Sequence, residues 1–114
     1  MRILTWVFAS VVGIGTAADA DPWKTLSGEE ITAVLTGATL DYDERWQDFR
    51  VSGRTLYFSG AESWGFWDVR ADQYCSMWPP SDLWACYDIA QSGDLIRFIG
   101  AAGDVTDGRI RMVD

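Results

Sequence analysis

Apolar and polar positions follow two different periods along this chain. Before position 38 the pattern is helical, with Ile31, Val34 and Leu35 three and four residues apart on one face. Ser27 and Glu30 have the spacing of a capping box, Leu26 and Ile31 can form a hydrophobic staple, and Gly37 stands where a left-handed residue ends a helix. One short amphipathic helix is expected here, covering an end or a face of a sheet. Asp21 to Thr25 reads as a lead-in.

From Ala38 onward the period is two, and turn residues recur every eight to twelve positions. Strands are expected near 38–42, 46–51, 54–59, 63–69, 72–78, 83–90, 94–100 and 108–113. Short connections make sequence neighbours antiparallel, so the chain should be mainly β. The expected fold is a small antiparallel meander of about seven or eight strands, closed as a barrel or folded as a two-layer sheet. Alternation serves both architectures equally.

The strand faces raise a question. Trp64, Phe66 and Asp68 share one face of 63–69, and Gly65, Trp67 and Val69 the other. In 83–90, Leu83, Ala85, Tyr87 and Ile89 oppose Trp84, Cys86 and Asp88. A sheet with one wet side shows polar residues there. Either a second layer covers both faces, or some aromatics form an exposed ligand surface. Trp78, beside Pro79-Pro80, is the first candidate for exposure and Trp84, across that loop, the second. Trp64 and Tyr74 complete the candidate binding set.

Composition sharpens this picture. Seven Trp, four Tyr and five Phe in 114 residues make large flat side chains dominant, and a net charge of −8 argues against nucleic acid as a partner. The first twenty residues have the form of a leader. Arg2 supplies its charge, Ile3 to Gly15 is uncharged, and Ala18-Asp19-Ala20 has the small-x-small form of a cleavage site. A cut after Ala20, or its rival after Ala18, leaves a single domain of about 21–114 in the periplasm or outside the cell. The apolar run is too short to span a bilayer, so the product is not expected to be membrane-spanning.

Export gives the only two cysteines a structural meaning. Cys75 and Cys86 would be joined in an oxidising compartment, a bridge worth about 3 kcal/mol in the chain-entropy model. A redox pair would prefer C-x-x-C, and zinc needs more ligands than two thiols without His. With no His and no free thiol, the usual nucleophile pairs are missing and no catalytic residue is assigned. Asp41-Tyr42-Asp43-Glu44 and Asp104-Val105-Thr106-Asp107-Gly108 are acidic loops that read as solvated turns, since neither has EF-hand spacing. No cofactor or metal is implied.

Two resemblances accompany these readings. Gly65-Phe66-Trp67, Tyr74-Cys75, Cys86-Tyr87 and Gly93-Asp94-Leu95-Ile96-Arg97-Phe98 resemble a group of small exported bacterial β-proteins of unassigned function. Its G-x-W strand, two cysteines and G-D turn recur in that order, which implies the fold and the disulfide and transfers no active site. Leu95 to Gly103 locally resembles the opening of dihydrodipicolinate reductases. Only eleven residues follow Gly103, too few for the helix and strand that nucleotide binding needs, so the segment is expected to be strand and turn.

Three functions fit the sequence. The first is a non-catalytic binding module whose aromatic patch meets an envelope glycan, lipid or protein. The second is an acidic inhibitor of a basic envelope enzyme such as lysozyme. The third is a small carboxylate-based enzyme.

Overall fold

The alternation that begins at Ala38 closes on itself. A computed structural model describes residues 22–112, and the leader expected at 1–20 lies outside them. The elements are β1 (Lys24–Thr25), α1 (Gly28–Leu35), β2 (Thr39–Tyr42), β3 (Arg45–Phe49), β4 (Arg54–Phe58), β5 (Glu62–Arg70), β6 (Gln73–Met77), β7 (Ala85–Ser92), β8 (Leu95–Ile99) and β9 (Val105–Ile110). Strands β2 to β9 pair in sequence order, every pair antiparallel, and β9 returns to β2. The meander is therefore an eight-stranded barrel, and the two-layer alternative falls away.

Two ladders in the barrel are short, and each carries a clamp. Pairs Arg109↔Asp41 and Ile110↔Leu40 join β9 to β2. Beside them Arg111 donates its backbone N–H to Thr39 and its guanidinium to Asp41. Strands β6 and β7 share Tyr74↔Tyr87, Cys75↔Cys86 and Ser76↔Ala85, and the facing cysteines form the disulfide. Where β6 no longer flanks β7, the two residues of β1 take its place, Lys24 opposite Gln91 and Thr25 opposite Ala90. The lead-in expected at 21–25 thus contains a strand too short to show a period.

The helix plugs one end of this barrel. Ser27 accepts from the Glu30 N–H while Glu30 accepts from the Ser27 N–H, so the capping box is complete. Gly37 is left-handed at φ 79°, just past the Thr36 cap. Ile31 and Leu35 are fully buried in one cluster with Leu26, Leu40, Phe49, Trp67, Ile89 and Ile96. The Gly28 N–H is tied at 2.7 Å to Asp72, in the β5–β6 turn. In that two-residue turn Ala71 and Asp72 are both left-handed, at φ 49° and 62°.

The question of two aromatic faces resolves without a second layer. Inward residues fill the plugged end of the barrel; four outward indoles lie under arginines that are themselves held by aspartates. Arg111 spans Asp41 and Trp46, Arg50 spans Asp48 and Trp64, Arg70 spans Asp68 and Trp84, and Arg97 spans Asp107 and Trp23. Planar guanidinium covers an indole face while its N–H groups satisfy a carboxylate at the edge. The last strand runs 105–110 rather than 108–113, because Gly108 is an interior strand residue. A Cβ there would stand 2.7 Å from the Tyr42 ring. Likewise Asp41, Tyr42 and Val105 to Gly108 are strand residues rather than loop.

Candidate functional site: the open mouth of the barrel

In a closed meander alternate turns share an end. The β3–β4 and β5–β6 turns lie with α1, so the β2–β3, β4–β5, β6–β7 and β8–β9 connections surround the other end. That end is open. It holds a cavity of about 600 Å³ lined from the inward faces by Tyr42, Gln47, Tyr57, Tyr74, Tyr87 and Phe98 and from the connections by Trp78, Pro79 and Asp104. This volume is within the usual range for small-ligand sites.

The floor is a buried polar cluster resting on the apolar plug. Tyr42 donates to Gln47 Oε1 at 2.8 Å, and Gln47 Nε2 donates to Thr55 Oγ1 at 2.9 Å and to the Tyr74 hydroxyl oxygen at 3.2 Å. Thr55 in turn donates its hydroxyl hydrogen bond to the Asp48 carbonyl. Each group has a partner, as burial requires. Burial pushes the Tyr74 phenol up to about 12 and raises Tyr42 further, so both are neutral donors across the physiological range.

The walls are aromatic with polar openings. Trp78 donates to Ser76 Oγ at 3.1 Å and meets Tyr57 edge-on at 6.1 Å between ring centres. Arg45 donates to the Tyr57 oxygen at 3.1 Å, which leaves the Tyr57 proton for another acceptor. Arg45 also lines a second depression with Asp43, Glu44, Ser59 and Gly60.

The sequence candidates separate in space. Trp78, Trp64 and Tyr74 all line the mouth; Trp84 does not, and sits half-buried on the outer wall under Arg70. Trp78 is half-buried rather than the most exposed ring, and exposure falls on Trp23, Trp64 and Phe66. Tyr74 is 3% exposed, so it serves the floor through its hydroxyl. Tyr42, Gln47, Tyr57, Tyr87, Arg45 and Asp104 were missed. The signal for them was inward period-two positions next to the four connections of one end. Among the described residues no three His, Cys, Asp or Glu side chains converge as metal ligands, and no helix is long and apolar enough to cross a membrane. The chain matches no protein-family model, no curated protein and no solved structure.

Proposed function

We propose that the chain is a non-catalytic binding module of an oxidising compartment outside the cytoplasm, and that its ligand seats in the open mouth of the barrel. The cavity of about 600 Å³, with rings on its walls and satisfied polar groups on its floor, carries this reading. The Cys75–Cys86 disulfide fits such a compartment.

The test is capture from a cell-envelope extract on the immobilised, oxidised protein, with tryptophan-fluorescence titration against envelope glycans and lipids in parallel. Binding abolished by Trp78→Ala and retained by Trp84→Ala supports the mouth as the site. Binding indifferent to Trp78→Ala, or lost with Trp84→Ala, overturns it.

The acidic residues around the mouth favour a second reading, inhibition of a basic envelope enzyme such as lysozyme. Lysozyme activity unchanged by a molar excess of the protein rejects it.

A further inference from the structure

Charge is sorted between the two ends of the barrel. Six arginines, Arg50, Arg54, Arg70, Arg97, Arg109 and Arg111, stand on the outer wall or at the plugged end, each on a carboxylate or an aromatic face. The connections of the open end carry Asp43, Glu44, Asp82 and Asp104, with Glu62 at the start of β5, and none of these joins an ion pair among the described residues. Among the described residues Arg45, the first residue of β3, is the one cation there. Asp104 is the carboxylate that lines the cavity itself, over Gly100, where a Cβ would collide with it.

An aromatic cavity beneath a ring of uncompensated carboxylates attracts a positive charge twice. Carboxylates draw it to the opening, and the rings of Tyr57, Tyr87 and Trp78 that line the cavity attract it once water is displaced. An anion would meet the same carboxylates as a barrier. From this combination we infer that the mouth takes an organic cation of side-chain size, an ammonium or guanidinium on a short apolar stem, with Asp104 as its counter-charge. The inference rests on the mouth being the binding site and adds the ligand's class.

The residues disagree in sign, which makes the test sharp. Arg45 repels a cation, so Arg45→Gln should strengthen binding several-fold while Asp104→Asn weakens it several-fold. Probes are agmatine and tetramethylammonium against a neutral isosteric alcohol and an alkyl carboxylate, read by tryptophan fluorescence on the oxidised protein. The expected result is at least about a tenfold preference for the cations, falling with salt and lost with Trp78→Ala. An arginine amide within a short neutral peptide separates a side chain presented by a protein, which binds tighter than agmatine, from a free cation, which does not. No cation binding below about 10 mM, a preference for the alcohol or carboxylate, or weaker binding by Arg45→Gln overturns the inference. A neutral glycan that binds and is lost with Trp78→Ala would leave the mouth as the site and remove only the cation.

Discussion

The indole of Trp78 rests against the Cα of Gly65. A Cβ on Gly65 would stand 2.6 Å from Trp78 Cε3 and 2.7 Å from the Met77 carbonyl, closer than real side chains approach. Gly65→Ala therefore has to move the ring or the strand. The expected cost is about 1–3 kcal/mol in urea unfolding, with a changed Trp78 environment in the native emission spectrum. An unaltered spectrum and midpoint would show that the ring is not seated there.

Gln47 is the hub of the mouth's floor, and Gln47→Leu should remove about 1–3 kcal/mol by leaving the Tyr42 hydroxyl without its acceptor. Adding Tyr42→Phe should recover part of that loss, because the orphaned donor goes with it. A double-mutant cycle by denaturant unfolding checks the coupling, and additive costs would contradict it.

Alkali should unfold the barrel through its buried phenols. Tyr74 titrates at about 12 when folded against about 10 when unfolded, and Tyr42 is raised as well. Above pH 10 the unfolded chain releases protons that the folded chain keeps, so stability is complete below that value and is lost as pH rises toward 12. Tyrosinate absorbance followed with circular dichroism should show these two groups ionising together with unfolding. Tyr42→Phe/Tyr74→Phe should flatten the fall.

Ala71 adopts the left-handed region at φ 49° in a two-residue turn, where a Cβ is a cost. Ala71→Gly is expected to stabilise the protein by up to about 1 kcal/mol, an unusual sign for a glycine substitution. Calorimetric melting decides it, and a lower midpoint would mean that glycine's unfolded-state entropy outweighs the relief.

The two short ladders should fail differently when their clamps are removed. Cys75→Ala/Cys86→Ala is expected to cost about 2–4 kcal/mol globally, since the bridge constrains the unfolded chain. Arg111→Gln breaks an exposed ion pair and should cost below about 1 kcal/mol. Its effect should appear as faster hydrogen exchange at the β2–β9 seam, a local opening. Uniform exchange after Arg111→Gln would deny that the pair guards the seam.

Much of this fold was legible where its cause is local. Ser27, Glu30 and Gly37 act within a turn of one another, and the alternation of Trp64 to Val69 states its own faces. Closure was not legible, because it depends on the last strand pairing with the first strand of the barrel, where Arg111 meets Asp41 across 70 positions of sequence. Gly108 reads as a turn until the Tyr42 ring that needs its space is seen. For the same reason Trp78 looked exposed beside two prolines while its platform, Gly65, stood thirteen residues earlier. The mouth was hardest to read. Tyr57 and Gln47 obey the alternation of any inward residue, and period alone does not say which end of an inward stripe is left unplugged.

A sheet that returns on itself has no selvedge. The gap beside β7 where β6 turns away is already sewn by Lys24 and Thr25. Among the described residues every strand of the barrel therefore has a partner on each side, and little of its backbone is left for a foreign segment to join. The surface such a closed sheet offers a partner is chiefly side chains, at the ends and on the walls, and in a sequence so rich in sheet-forming rings the same closure works against edge-to-edge templating of fibres.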